Sequence, residues 1–434
     1  MLKKISIYLI GLLPLSLIAG PLIGEVLLFI IFNLFIYSFF KKKLFYLFDN
    51  NLLKIFFLFW IYIVTLSFFA VDTFVSFKSS FFYVRFALYT VSIAYFLTLH
   101  KDSFKIIYTI YKYTLIFVII DSIYQTFFGS DIFGLEPNSK NLMRISGPFG
   151  DKFILGSFLQ KILPVFIYLI LKNFKVENKI KLSDIVIIIF TFAIIYRSGD
   201  RSAFGLIMFF SLIFFAINKP LRKKMLSILI FLIIISSVFT LQNPNIFKRN
   251  FIDTIGQFKG QYYENFLIKE VNETNLNFML FSFDHQTHYT TAFRMFLDKP
   301  VLGHGVKMFR YKCKDFAFIP DVKYENSFGN SKEFYGCSTH PHNTYLQLLS
   351  ETGLIGFLFI FSLFIFLIFQ IFSMILNNKN KLSPESALLI GIFVNLWPII
   401  PTGNFFNNWL SMAYFIPISY YLYEVKYKNI KKIA

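Results

Sequence analysis

The sequence predicts an all-α polytopic membrane protein, with about 12 transmembrane helices and one large, partly helical outward loop. Three observations predict it. Only 15% of the 434 residues are charged and 56% are hydrophobic, where a soluble domain carries about a quarter charged residues. Apolar runs of spanning length recur along the chain; about 20 residues rising 1.5 Å each cross a hydrocarbon core of about 30 Å. The formal net charge of +19 gathers beside those runs, in Lys3-Lys4, Lys41-Lys42-Lys43, Arg222-Lys223-Lys224 and Lys426 to Lys432. Such clustering is what the positive-inside rule produces at a cytoplasmic face. It accounts for the basic balance, so membrane lipids are the expected partner and nucleic acid is not. The same composition excludes a disordered chain and a disulfide-dense secreted scaffold.

Taken in order, Ile5 to Ala19 and Leu22 to Phe40 form a hairpin of spans broken at Gly20-Pro21. Ile55 to Ala70, Phe82 to Leu99 and Ile106 to Phe127 follow, then a polar stretch from Gly129 to Lys152. Phe153 to Leu171, Ile185 to Tyr196, Ala203 to Ile217 and Met225 to Leu241 complete the first nine spans. After a long gap come Leu346 to Leu376, Ala387 to Ile400 and Trp409 to Leu422. Three parts result: spans one to nine over 1–241, a large loop over 242–345, and the last three spans with a basic tail over 346–434. An even count puts both termini on one side, and their lysines assign that side to the cytoplasm. The first apolar run has no small-residue cleavage site and leads straight into a second span, so no cleavable signal peptide is expected.

The 242–345 loop is the informative connection. Its segment 242–342 holds 12 Lys and Arg against 10 Asp and Glu, nearly neutral where the inner loops are basic. Connections of this length are usually functional or disordered, and its Tyr, Phe, Leu and Ile content argues for folding as short helices against the membrane surface. Both cysteines of the chain, Cys313 and Cys337, fall here. On an oxidising side a disulfide between them is expected, two buried thiols being the alternative.

Five of the six histidines also lie in this loop: His285, His288, His304, His340 and His342. The sixth, His100, reads as a solvated flank of a span. Imidazole is the usual general base near neutral pH, so the loop is where chemistry is expected. His285 and His304 are consistent with ordinary polar loop positions. His342 is less so, because it opens the run His342-Asn343, nine residues, Gly353, two residues, Gly356.

That run resembles the signature of the O-antigen ligases, which share a wider superfamily with the O-antigen polymerases. Arg144-Ile-Ser-Gly147-Pro-Phe149 resembles the family's Arg-x-x-Gly-x-Phe lead into the next span. Arg197-Ser-Gly-Asp200-Arg201-Ser-Ala is similar to its Ser-Arg-small turn between two spans, and Arg294 with Pro300-Val-Leu-Gly303-His-Gly305 to its Arg…Pro-x-x-Gly-x-Gly stretch. Asp200 directly before Arg201 departs from that pattern. The first hundred residues match only in being apolar.

The resemblance implies a fold of the membrane glycosyltransferase C type, with a lateral groove for a lipid carrier. It implies a glycosyltransferase that moves glycan from an undecaprenyl-diphosphate-linked donor to the lipid A-core, or to a glycan acceptor, at the periplasmic face of the bacterial inner membrane. Inversion, no metal and no cofactor are implied with it. A polymerase joining carrier-linked repeat units is the alternative, and a polysaccharide transporter or flippase the second. A transporter predicts matched halves with broken helices, and no such halves are present.

Under this reading His342 is the base, and Arg201 and Arg294 stabilise the diphosphate through fixed forked donors. Arg144, Arg197, His340 and Asn343 are further substrate-binding candidates. An interfacial snorkelling role competes for Arg201, and an ordinary salt-bridged role for Arg294. The His340-x-His342 pair lacks a third ligand at convincing spacing, which disfavours a metal. Glu351 reads as a partner of neighbouring polar groups. Arg85 and Lys161 stand out as charges within apolar segments.

Overall fold

The computed structural model describes residues 2–99, 102–137, 144–177, 179–258, 261–264, 267–270, 283–318, 323–325, 331–333, 336–377 and 382–428. His100 lies outside the described residues, as do the lysines of the extreme C-terminus. Each of the twelve apolar segments contains a helix. The first becomes two, α1 (Leu2–Gly11) and α2 (Leu13–Ala19), with Pro14 in the first turn of the second. Proline has no N–H to donate, which costs nothing in a first turn. α3 (Pro21–Lys42) runs back, and Lys43 closes it in the left-handed conformation (φ 51°). α4 (Asn51–Leu66), α5 (Thr73–Phe81), α6 (Arg85–Leu99), α7 (Ser103–Phe128) and α8 (Leu155–Glu177) follow. Residues 71–80, expected as a connection, are therefore largely helical. The Asp72 carboxylate caps α5 by accepting from Val75 N at 2.9 Å, which starts the helix a full two turns before the apolar run begins.

α9 (Leu182–Arg197), α10 (Arg201–Ile217) and α11 (Arg222–Gln242) precede the long connection. That connection holds α12 (Pro244–Phe247), α13 (Asp253–Phe258), α14 (Phe283–Asp298) and α15 (Phe309–Lys312). It also holds two antiparallel pairs that the sequence did not suggest, β1 (Gln261–Glu264) with β2 (Leu267–Glu270) and β3 (Lys323–Glu325) with β4 (Ser331–Glu333). α16 (Thr344–Asn377), α17 (Pro384–Asn395) and α18 (Asn408–Leu422) close the chain. Among the described residues seven helices are long and apolar enough to cross a membrane, and α10 and α17 are shorter apolar helices. The protein is a polytopic membrane protein.

α8 is the hub. It packs on α7, α9, α10, α17 and α18, and 89% of its apolar window is buried, against 6% for α11. Phe166, Ile167, Tyr168 and Leu169, four successive residues that point to different sides of α8, are all buried, as a helix apolar all round requires. α11 instead turns Ile230, Phe231, Ile233 and Ile234 outward, a surface suited to hydrocarbon rather than water. An apolar cavity of about 330 Å³ lies between α8, α9, α10 and α11, towards the Arg222–Lys224 end of α11. Of the two charges within apolar segments, Arg85 is paired with Glu25 at 2.8 Å. Lys161 donates to Ser157 Oγ at 2.7 Å.

The long connection is anchored by its Pro300-x-x-Gly303-x-Gly305 stretch. α16 unwinds at Gly353 (φ 61°, ψ −168°), freeing carbonyls and an amide that the stretch takes up. His304 N donates to Ser350 O at 3.0 Å, Gly305 N to Glu351 O at 2.8 Å, and Leu354 N to Pro300 O at 2.8 Å. The backbones meet so closely that a Cβ on Gly353 would lie 2.2 Å from Val301 O, and one on Gly303 2.5 Å from Gly353 N. Both glycines also have positive φ, where a side chain is strained. This clasp seats α14 against α16.

Candidate active site

His342 lies two residues before α16 and has φ 56°. Its carbonyl accepts from Thr402 N at 2.8 Å. The next residue holds it there: Asn343 Oδ1 accepts from Tyr345 N and Leu346 N, each at 3.0 Å, and its Nδ2 donates to Pro398 O at 2.7 Å. Both ends of the Asn343 amide are thus engaged by backbone, which makes Asn343 the cap of α16 and a positioning residue for His342.

α14 brings two more imidazoles to the same place. His285 and His288 lie one helical turn apart and so share a face. Their ring centroids are each 5.5 Å from that of His342, and that of His340 is 4.1 Å from it. Burial, with the neighbouring imidazoles next, lowers His342 and His285 to about 4 and His340 to about 3. His342 is therefore neutral and ready to accept a proton at any pH near 7. The rings stack or tilt on one another, and among the described residues no three His, Cys, Asp or Glu side chains are arranged to hold a metal ion.

The arginines gather at the turn between α9 and α10. Gly199 has φ 65°, and a Cβ there would lie 3.2 Å from Arg144 Cγ and 3.2 Å from Arg249 Cδ, so the turn is held between those two side chains. Arg144 Nε donates to Ser198 O at 3.2 Å, and Arg249 Nε to Gly199 O at 2.9 Å. Arg201 opens α10 and Arg197, buried, ends α9. Asp200 caps α10 by accepting from Ala203 N at 3.2 Å, and its charge supports the neighbouring cations. Burial lowers Arg144 to about 10, opposed by Asp200 and abetted by Arg249 and Arg201. Burial lowers Arg249 too, opposed by Asp200 and Asp253. Three guanidinium groups, those of Arg144, Arg201 and Arg249, gather as a cradle around one turn, an arrangement of forked donors that can hold an anion. The charge of Arg201 also bears on His285, which joins this cradle to the histidines.

The structure thus brings together His342 and His340 and, at the adjoining turn, Arg201 and Arg144, while Arg197 ends α9 with its side chain buried. Arg294 is not among them: nine residues after His285 on α14, it projects half a turn away and is exposed. His285, His288 and Arg249 are functional candidates that sequence reasoning passed over. The i, i+3 spacing of His285 and His288 was the available signal; Arg249 offered none. His304 is buried, with Nε2 3.0 Å from Met295 O, and ties α14 to the clasp. Cys313 and Cys337 are joined as a disulfide with Cα atoms 5.1 Å apart, linking α15 to the segment that carries His340. Glu351 is fully buried and accepts from Phe309 N at 3.1 Å and Gln347 Nε2 at 3.0 Å, a structural partner.

Residues 186–361 match the family model described as O-Antigen ligase. A protein of Rickettsia conorii named "Putative polysaccharide ligase" is 30% identical over 112 residues, 24% of this chain and 24% of that protein. The similarity therefore spans about a quarter of that relative's length. The matched 186–361 stretch contains the Arg197–Arg201 turn, Arg249, the clasp and the histidines from both α14 and the start of α16. Over this stretch, which is less than half of the chain, the sequence is similar to the O-antigen ligase family.

Proposed function

We propose that the protein is an O-antigen ligase-type glycosyltransferase, which moves glycan from a polyprenyl diphosphate carrier to the lipid A-core on the periplasmic face of the inner membrane. The observation that carries this reading is the junction of a neutral imidazole row with an arginine cradle. The acceptor hydroxyl attacks the anomeric carbon as its proton passes to His342. The new C–O bond forms opposite the breaking bond to the diphosphate oxygen, so the anomeric centre inverts. The diphosphate leaves with the electron pair, and its growing charge meets guanidiniums already in place, which need no reorganisation. Arg144, Arg201 and Arg249 are assigned to it; Arg294, half a turn from His285 on α14, is not. As negative charge arrives, the imidazoles become more basic, which suits proton uptake by His342.

The disulfide in the connection suits an oxidising compartment. Lys41 to Lys43 and Arg222 to Lys224 lie at helix ends remote from the cradle, as expected if that opposite side is cytoplasmic. The test is a lipopolysaccharide gel with an assay of carrier-linked glycan, in a deletion strain complemented with wild type or His342→Ala at matched membrane levels. Long glycan accumulating on the carrier above a bare core supports a ligase. A core bearing a single repeat unit indicates a polymerase instead. Normal ladders from well-expressed His342→Ala would sink the assignment of the base.

A further inference from the structure

The histidine row has two ends. Arg201 bears on His285 at one end, and Arg310 bears on His340 at the other. His342 stands between them, 5.5 Å from the first ring and 4.1 Å from the second. Arg310 belongs to a basic group separate from the cradle. Lys307 adopts φ 64° in the turn before α15 and carries the repulsion of Arg310, Arg85 and Lys78. Burial is the larger cause of its lowered basicity.

This group is built, not loose. The disulfide fixes α15 to the histidine segment, placing Arg310, three residues before Cys313, beside His340, three residues after Cys337. Glu351 accepts from Phe309 N at 3.1 Å, which holds the turn carrying Lys307 and Arg310. Met308 Sδ lies 3.5 Å from Asp72 N at the start of α5, the helix that bears Lys78. Charge in the group is unbalanced. Arg85 is matched by Glu25 at 2.8 Å, which leaves Glu351 facing Lys307 and Arg310. Arg310 Nε is buried without a hydrogen-bond partner among the described residues. A buried guanidinium donor without an acceptor is costly unless a ligand supplies one.

We propose that Lys78, Lys307 and Arg310 form a second anion subsite, at the His340 end of the row, which binds a phosphate group of the acceptor glycolipid. The inference rests on the proposed transferase reading and assigns the two sides of His342. The carrier diphosphate occupies the Arg144, Arg201 and Arg249 side, and the acceptor is drawn in by its own phosphate from the other. Its hydroxyl then lies over the base between two anion sites that do not compete. A phospholipid headgroup offers the same phosphate chemistry, and the test separates the two sources.

The full chain in phosphatidylcholine nanodiscs would be assayed with a polyprenyl-diphosphate donor and a lipid A-core acceptor, either phosphorylated or phosphatase-stripped. Lys307→Asn with Arg310→Gln removes the subsite, and Asn tolerates the left-handed backbone at 307. We expect the acceptor KM to rise about tenfold or more, with donor KM unmoved, the loss typical of a charge-assisted contact. Stripping the acceptor should cost the wild type a similar factor and the double variant nothing more. Arg310→Lys, which keeps the charge, should recover part of the loss. An unchanged acceptor KM in a folded double variant overturns the proposal, as does an equal loss with both acceptors. A requirement for added phosphatidylglycerol with either acceptor also overturns it, and assigns the subsite to bilayer lipid. Direct binding of the two acceptors separates this from failure of the parent reading: if no glycan moves, yet the phosphorylated acceptor binds the wild type more tightly and the double variant equally, the transferase reading fails and the subsite stands.

Discussion

Neutral imidazole at position 342 has a kinetic signature. Because its folded value is lowered to about 4, the base form persists from neutral pH down to that value. The acid limb of kcat/KM, which reports the free enzyme, is expected near pH 4 to 5 rather than at the ordinary imidazole value near 6.5. A limb at 6.5 or above would remove His342 from the role. The arginines separate by position. Arg201→Gln and Arg249→Gln should each lower kcat by about a hundredfold or more, the scale of losing one preorganised donor to a developing anion. Arg249 matters here because nothing in the sequence distinguishes it from other loop cations. Its candidacy comes only from the bond to Gly199 O and the shared cradle with Arg144.

At the level of elements, the clasp between the 300–305 stretch and the unwound turn of α16 seats α14, with its histidines, against α16. Gly353→Ala and Gly303→Ala should each abolish accumulation of the folded protein, because the added methyl meets backbone that cannot move aside. Gly205→Ala on α10, where nothing lies within 4 Å, is the matched control and should accumulate normally. Acid should loosen the same contact. His285, His340 and His342 have folded values below the unfolded value near 6.5. The unfolded state therefore binds more protons between about pH 6.5 and about pH 4, and stability falls as pH falls through that window. Protection of α14 amides, taken relative to their intrinsic exchange rate at each pH, should fall across it. Unchanged protection there would mean that the imidazoles are not buried as a group.

The whole molecule is organised by the contrast between a buried hub and an apolar exterior. α11 exposes branched side chains along most of its length, which is stable only against hydrocarbon. Ile233→Asp, near its middle, should lower membrane insertion by about 2.5–3.5 kcal/mol, read as loss of membrane-fraction protein. An equal level would place α11 away from lipid. Cavity, hub and cradle lie along the same helices, since α10 begins at the cradle with Arg201 and borders the cavity towards its other end.

Composition and the order of apolar runs were enough to establish a polytopic membrane protein and to mark twelve apolar segments that each contain a helix, because spanning length is a local property of sequence. The helix over 73–81 escaped, since its start is set by the Asp72 cap rather than by hydropathy. The His342 run was legible because its histidine, cap and kink glycine are neighbours in one helix. His285, His288, Arg249, Lys307 and Arg310 were not, for they reach the site from segments as much as ninety residues away. Periodicity reports which face of a helix is apolar and says nothing of which distant face meets it. That choice belongs to the glycine clasp, the disulfide and the packing of α14 on α16, which only the folded chain brings into being.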